Sequence, residues 1–223
     1  QYKATRNKTP EDLHAQIPII CEILEALGIP VLQCDGYEAD DVIATVAKKC
    51  SETGRGCRIL SGDKDLMQLV SETTQILKPE TGASTWKVTG IEGVEAEWGV
   101  KPEKLLDLLS LYGDTADNIP GVRGIGVKTA SKLLNDYGDL DGIYAHIEDL
   151  KGATKQKLIE GKENAYFSQK LVKLCDEVPC SDIDDALNGN PLSFDYKKAA
   201  EILQNHEVSA VAKQYFELSL KNG

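Results

Sequence analysis

The spacing of apolar residues changes once along this chain, and that change restricts the possible folds more than any other feature. Up to about residue 90, stretches with helical spacing alternate with short apolar runs of strand length. The pattern predicts helices at 10–27 and 38–52, a short helix from residue 65, and strands at 29–33, 57–60, 74–77 and 85–88. Such an alternation predicts an α/β domain with a mainly parallel sheet and covering helices.

Beyond residue 90 only helical spacing remains. We predict helices at 93–98, 101–112, 128–137, 163–174, 196–205 and 209–218, and an acidic, turn-rich surface loop at 181–190. The change places a domain boundary near residue 95, between an α/β domain at 1–95 and an all-α subdomain at 96–223.

Composition leaves the kind of partner open. The 223 residues carry a formal net charge of −11, which at first argues against a nucleic-acid partner. The acids are concentrated in tight clusters, however, and residues 118–174 hold nine Lys or Arg against seven Asp or Glu, a net of +2. No apolar run is long enough for a membrane span, so we expect no membrane partner. The six cysteines form no C-x-x-C pair, and we interpret them as reduced packing thiols of a cytosolic protein.

Seven carboxylates occur in three clusters. The clusters comprise Glu38, Asp40 and Asp41 at a helix start; Asp63 and Asp65 after the strand 57–60; and Asp114 and Asp117 in the helical half. Because active sites of open α/β sheets lie beyond the carboxyl ends of the strands, the first two clusters are expected at one sheet edge, with the third closing over it. A set of hard oxygen donors without His or Cys selects Mg²⁺ or Mn²⁺. The alternative is that the acids of the first two clusters only cap helices.

The stretch GDTADNIPGVRGIGVKTA, residues 113–130, joins the third carboxylate cluster to a turn rich in glycine. Gly121, Gly124 and Gly126 interrupt regular structure, and a helix follows at once. A glycine turn that leads into a helix N-terminus offers outward-pointing N–H groups, which suit a phosphate. One short stretch therefore combines a candidate metal site with a candidate phosphate site. The alternative is a polar loop in which Asp114 and Asp117 only form turns.

Three motifs in a fixed order, GYEADD, RILSGDKDLMQLV and GDTADNIPGVRGIGVKTASKLL, carry a family resemblance. The chain resembles the 5′-nuclease (flap endonuclease) family, and within it the 5′→3′ exonuclease domains of bacterial DNA polymerases I. The resemblance implies a Rossmann-like (PIN-like) nuclease core followed by a helical subdomain with a helix-hairpin-helix-type DNA-binding motif. It is strong over residues 36–134 and weaker beyond about residue 149.

The resemblance also assigns roles to individual residues. It makes all seven clustered carboxylates ligands of two Mg²⁺ (or Mn²⁺) ions, and it makes Lys3 and Arg6 contacts of the phosphate being cut. It assigns duplex DNA binding to Gly121, Val122, Arg123, Gly124, Ile125, Gly126, Lys128, Thr129 and Lys132. In relatives the same turn holds a monovalent cation through backbone carbonyls, so K⁺ is a further expected ion at residues 121–128.

The chain also departs from the family pattern. A first strand with a metal-binding Asp, a second Asp and most of a helical arch have no counterpart in this sequence, which also lacks an initiator Met. We therefore expect the sequence to be a fragment of a longer chain, with polymerase domains in the same full-length protein.

The functional hypothesis is a structure-specific 5′→3′ exonuclease or flap endonuclease that acts on branched or flapped duplex DNA and on primer RNA during replication and repair. Its expected location is the cytoplasm, at the nucleoid. Two alternatives stay open: a catalytically inactive duplex-binding fragment, and a phosphatase-like enzyme that uses Asp63 and Asp65 on a small substrate.

Overall fold

A computed structural model describes residues 10–80, 85–189 and 194–222, the last residue by its backbone only. The described residues form two compact units. The first comprises Tyr37–Val178, and the second comprises residues 10–36 and 179–222.

Helices dominate both units. In chain order they are α1 (Glu11–Ala26), α2 (Ala39–Glu52), α3 (Ile91–Trp98), α4 (Leu105–Tyr112), α5 (Val127–Tyr137), α6 (Leu140–Ala145), α7 (Gly152–Glu160), α8 (Lys162–Val172), α9 (Ser181–Asn188), α10 (Tyr196–Asn205) and α11 (Ser209–Asn222). Short 3₁₀ helices lie at Asp65–Leu69, Pro102–Lys104 and Ile147–Asp149. The strands are β1 (Cys57–Leu60), β2 (Thr74–Pro79) and β3 (Trp86–Thr89). None of these described helices is both long and apolar enough to cross a membrane.

The first unit contains a small mixed sheet in the order β1-β2-β3. Strand β1 pairs parallel to β2, with Ile59 opposite Ile76, and β2 pairs antiparallel to β3, with Ile76 opposite Thr89. Ile76 is fully buried at the centre of the sheet. The sheet was expected to be mainly parallel, but only one of its two strand pairs is.

The strand predicted at 29–33 does not form, and these residues are irregular. Pro30 lacks the N–H that a ladder needs, and Gly28, at a φ of +68°, turns the chain out of α1. Ile29 instead packs in the second unit on a small cluster built around Ala26, Leu27 and Ala199. The apolar run therefore serves a helical core rather than the sheet.

The core of the first unit runs without interruption from the sheet into the helices. Ile59 and Met67 belong to the same buried cluster as Leu108 of α4 and Leu134 of α5. The indole N–H of Trp98 also donates to the Met67 sulfur over 3.2 Å, which ties the end of α3 to the first 3₁₀ helix. Residue 95 is an exposed position of α3, a helix whose Val94 belongs to this core, and the boundary between residues 95 and 96 remains a prediction.

The second unit is helical in its described residues. Helix α10 starts at a genuine cap, where the Asp195 side chain accepts the Lys198 N–H over 2.9 Å. The prediction of a loop at 181–190 is wrong for residues 181–188, which form α9. Its Ile183 is fully buried, and Asp182 and Asp184 lie in the first turn, where acids favour the helix dipole. The acidic composition that suggested a loop thus belongs to a helix start.

Candidate metal centre and nucleic-acid interface

The end of β1 places two of the carboxylates. The chain leaves the strand at Leu60, and Ser61 Oγ accepts the Asp63 N–H over 3.0 Å. The Asp63 carboxylate then accepts the Asp65 N–H over 3.0 Å, and Asp65 starts the 3₁₀ helix. Two successive side-chain turns thus hold Asp63 and Asp65 at the carboxyl end of the strand.

The start of α2 places three more. Asp41 Oδ2 accepts the Glu38 N–H over 3.2 Å, and Asp41 Oδ1 accepts the Cys175 N–H over 2.8 Å. Asp41 therefore joins the helix start to the segment that follows α8. Part of the capping alternative is realised here, because Glu38 and Asp41 form a reciprocal capping box in which each side chain accepts the other residue's N–H. Glu38, Asp40 and Asp41 all line the cavity described below.

The loop after α4 places the last pair. Asp114 and Ile119 exchange backbone hydrogen bonds of 2.9 and 2.7 Å, which close a tight loop between them. Asp114 Oδ1 accepts the Ala116 N–H over 2.8 Å, and Asn118 completes the loop at a φ of +59°. Asp117 is only 6% exposed although it is an acid. The loop therefore directs carboxylates inward rather than presenting them to solvent.

The three clusters meet in one place. A cavity of about 250 Å³ is lined by Glu38, Asp40, Asp41, Asp63, Asp65 and Asp117, together with residues 170–174. One carboxylate oxygen from each of Asp65, Asp114 and Asp117 lies within 4.8 Å of the other two. The expected convergence is therefore present, and it brings together carboxylates from residues that are up to 79 positions apart in the chain. Only Asp63 and Asp65 reach the cavity from the end of a strand, because no strand forms at 29–33 before Glu38.

Lys64 is a functional candidate that the sequence reasoning missed. Its ammonium forms a hydrogen-bonded ion pair with Asp114 and lies 3.6 Å from Asp65 Oδ1. Burial alone would lower the pKa of Lys64, but the Asp114 hydrogen bond and the charge of Asp65 outweigh it and raise that pKa. The signal in the sequence was the position of a lysine between the two acids of GDKD. Its charge offsets the repulsion among the carboxylates.

Asp65 has the most perturbed carboxyl group in the cavity. Burial raises its pKa to about 6, and the charges of Asp63, Asp114 and Asp117 act in the same direction against Lys64. For Asp114, burial also acts to raise the pKa, but the hydrogen bonds from Lys64 and from the Ala116 N–H outweigh it, so the pKa is lowered. Asp65 and Asp114, neighbours from two different clusters, therefore differ in how readily they ionise.

The predicted DNA-binding turn follows directly. Val122 and Ile125 are buried in the core, whereas Arg123, Gly124, Gly126 and Lys128 are exposed. The Val122 N–H donates to the Leu111 carbonyl over 2.8 Å, which holds the turn against α4. Helix α5 then starts after Gly126 and carries the predicted residues Lys128, Thr129 and Lys132. Helix α4, the turn and α5 together form a helical hairpin.

Three supports of this turn come from distant residues that were not predicted. The Gly121 N–H donates to the buried Ser168 Oγ of α8 over 3.0 Å, and the Lys157 ammonium of α7 donates to the Gly124 carbonyl over 3.0 Å. Gly161 lies so close to Val122 that an added Cβ would approach its Cγ1 to 2.8 Å. Helices α7 and α8 therefore fix the conformation of the turn. No local pattern in residues 113–130 could have indicated these partners.

Lys3 and Arg6, the predicted phosphate contacts, lie outside the described residues.

Comparisons with known proteins agree with this architecture. Residues 1–99 match the family model "5'-3' exonuclease, N-terminal resolvase-like domain", and residues 100–195 match "5'-3' exonuclease, C-terminal SAM fold". Fold and matches together define a resolvase-like (PIN-like) nuclease core followed by a helical domain. The chain belongs to the 5′-3′ exonuclease family, which confirms both the resemblance and the fold class.

Two relatives show how much of each protein the chain covers. A 5′-3′ exonuclease of Aquifex aeolicus is 40% identical over 216 residues, which are 96% of this chain and 71% of that protein. DNA polymerase I of Treponema pallidum is 47% identical over 215 residues, which are 96% of this chain and 21% of that protein. The chain thus spans about a fifth of the length of that DNA polymerase I.

Solved structures share the fold at low sequence identity. The T5 D15 protein co-crystallised with metal ions aligns with a TM-score of 0.63 and 21% identity, over 98% of this chain and 77% of that chain. The catalytic core of Rad2 in complex with DNA substrate aligns with a TM-score of 0.59 and 17% identity, over 92% of this chain and 70% of that chain.

Proposed function

We propose that the chain is a divalent-metal-dependent, structure-specific 5′→3′ exonuclease and flap endonuclease that hydrolyses phosphodiester bonds of DNA and of primer RNA in replication and repair. The observation that carries the proposal is that one carboxylate oxygen from each of Asp65, Asp114 and Asp117 lies within 4.8 Å of the other two. Asp65 and Asp117 line the carboxylate cavity, and Asp114 and Asp117 lie on the loop that leads into the glycine turn. Relatives named as 5′-3′ exonucleases support the reaction class.

The donor set fits hard divalent cations. The cavity offers carboxylate oxygens and contains no His or Cys among its lining residues, which suits Mg²⁺ or Mn²⁺. We assign one ion to Asp65, Asp114 and Asp117, and a second to Glu38, Asp40 and Asp63, with Asp41 anchoring the second group through its two backbone contacts. Such ions would supply Lewis acidity toward the phosphodiester and a water of lowered pKa.

The protein's own groups bind and orient the substrate. Exposed Arg123 and Lys128, with the positive end of the α5 dipole, provide positive charge for the phosphates of a duplex. Lys3 and Arg6 are proposed to hold the phosphate that is cut. Branched or flapped duplex DNA is the proposed partner, with polymerase domains in the same full-length protein and the bacterial nucleoid as the site of action.

One observation favours a second candidate, the catalytically inactive duplex-binding fragment. The Lys64 ammonium pairs with Asp114 and lies 3.6 Å from Asp65 Oδ1, so it neutralises part of the charge that would attract a metal ion. A chain that keeps the glycine turn and stabilises its carboxylates in this way could bind a duplex without cutting it.

Cleavage of a labelled 5′-flap duplex separates the two candidates. We expect release of a short 5′ product with Mg²⁺ or Mn²⁺ and none with a chelator. Asp63→Ala is expected to reduce cleavage by at least about 100-fold while duplex binding changes little, because Asp63 is exposed and its removal leaves the core intact. Glu103→Ala, an exposed acid outside the cavity, is the matched control. Full activity of Asp63→Ala would overturn the metal assignment, and duplex binding without any cleavage by the unmodified chain would establish the second candidate.

A further inference from the structure

The carboxylate cavity has a basic part as well as an acidic one. Residues 170–174, at the end of α8 and directly after it, form part of its lining, and we call them the basic segment. The segment contributes Lys170 and Lys173, and both side chains are exposed. Two positive charges therefore belong to a cavity whose acids alone have been given a role.

The basic segment has a fixed position at the cavity. Val172, between the two lysines, is buried, and its carbonyl accepts a hydrogen bond from Gln68 Nε2 over 3.3 Å. The Cys175 N–H, directly after the segment, donates to Asp41 Oδ1 over 2.8 Å. Because the backbone is held at both points, the two lysines stay at the cavity whichever rotamers their side chains adopt.

The charges of the two lysines are not neutralised within the part of the chain that the structure describes. No described carboxylate pairs with either ammonium, although six carboxylates line the same cavity. Other lysines nearby do pair: Lys64 with Asp114, and Lys48 with Asp176 and Glu177 over 3.3 and 2.7 Å. Lysines that only offset the acids of the cavity would be expected to pair as Lys64 does. Their charge is therefore available to an anion that enters the cavity.

We propose that Lys170 and Lys173 bind a backbone phosphate of the strand that is cut, where that strand enters the carboxylate cavity. The inference rests on the proposed nuclease function. A phosphate is repelled by six carboxylates unless positive charge lies beside them. Bound metal ions would supply part of that charge, and the two lysines supply more of it from the protein itself. An ammonium binds phosphate as a point charge on a flexible stem, which suits a strand that moves into place.

The proposed contact differs from that of the glycine turn in which DNA it recognises. Arg123 and Lys128 lie at the turn and are proposed to meet the phosphates of any duplex. Lys170 and Lys173 line the cavity, so they meet only a strand that reaches the carboxylates. General duplex affinity should therefore depend on the turn, and preference for a flapped duplex should depend on the basic segment.

Anisotropy with two fluorescent DNAs tests the proposal, in Mg²⁺ and in the Asp63→Ala background, where cleavage is expected to be slow. One DNA is a 5′-flap duplex, and the other is a duplex of equal length closed at both ends by hairpin loops. Joint replacement of Lys170 and Lys173 by Met should weaken binding of the flapped duplex about tenfold and change binding of the closed duplex by less than about twofold. Joint replacement by Arg keeps both charges and should keep the affinity for the flapped duplex.

Two controls separate this role from others. Lys128→Ala should weaken binding of both DNAs, whereas Lys101→Met, at an exposed lysine outside the lining of the cavity, should change neither. The other role open to the two lysines is a favourable contact with the carboxyl end of the α8 dipole. That role alone would lower the thermal stability of the Met variant without changing its preference between the two DNAs.

An unchanged preference in the Met variant would therefore overturn the inference, and so would an equal loss of affinity for both DNAs. An Arg variant that loses the flapped duplex as the Met variant does would also overturn it. These three outcomes leave the proposed function in place. A parent chain that binds neither DNA would overturn the proposed function and the inference together.

Discussion

Asp65→Asn should stabilise the metal-free protein at neutral and alkaline pH. Asp65 is partly buried, with 17% of its side chain exposed, and three other carboxylates lie around it. Its pKa is raised from 3.8 to about 6, a difference of about 2 pH units. At 1.36 kcal/mol per unit, the ionised carboxylate costs the folded state about 3 kcal/mol. An amide of the same shape removes that cost and keeps the packing.

The pH dependence has a definite sign. A carboxyl group with a raised pKa binds its proton more tightly in the folded state, so its contribution to stability is present below about pH 4. That contribution is lost as the pH rises through about 6. Above about pH 7 the carboxylate is ionised in both states, and its cost to the folded state no longer changes with pH. Asp65→Asn should therefore match the unmodified chain near pH 4 and exceed it at pH 8.

Thermal unfolding followed by circular dichroism in a chelator is the assay. At pH 8 the variant should unfold roughly 6–12 °C higher than the unmodified chain, as about 3 kcal/mol predicts for a chain of this size. Added Mg²⁺ should stabilise the unmodified chain more than the variant, because a ligand stabilises only the folded state that binds it. Asp63→Asn is the control, since Asp63 is exposed and its charge costs the fold little. Equal stability of Asp65→Asn and the unmodified chain at pH 8 would refute the reasoning.

Two further substitutions test the helical hairpin. Gly121→Ala should destabilise the chain by at least about 2 kcal/mol in chemical denaturation, because its φ is +57° and the new Cβ would lie 2.6 Å from the Gly113 nitrogen. Gly126→Ala, whose Cβ would meet nothing within 4 Å, should change stability by less than about 1 kcal/mol, and equal losses in both would contradict the steric argument. Lys128→Ala should weaken duplex binding and lower the salt slope of the affinity by at most about one, whereas an unchanged slope would exclude a phosphate contact.

The carboxylate cavity was predictable only in part. Asp63 and Asp65 follow β1, as the strand-end rule predicts, whereas the strand expected before Glu38 does not form. The start of α2, rather than a second strand end, places Glu38 and Asp40. The structure brings these clusters together with Asp117 as expected. Their roles as metal ligands remain predictions that the proposed cleavage experiment tests.

Other features could not be predicted from the sequence because they depend on contacts between residues that are distant in the chain. Ser168 and Lys157 reach the glycine turn from α8 and α7, and no periodicity in either segment marks them as its partners. The error at 29–33 had a local cause that was given too little weight, namely Pro30 within an apolar run. The error at 181–188 came from treating acids as a loop signal, although Ile183 among them is fully buried and gives the segment a packed side.

Only a short stretch of backbone joins Asp117, in the carboxylate cavity, to Gly121, at the glycine turn. Four residue steps span at most about 14 Å, and the backbone pairing of Asp114 with Ile119 leaves this segment little freedom to stretch. If the carboxylates cut and the turn grips the duplex, the distance from grip to cut is set by this segment of backbone. At about 3.4 Å per nucleotide, that length corresponds to only a few nucleotides of duplex. The position of the cut would then be measured from the gripped duplex rather than from the end of the strand, and a single inserted residue would change the product length.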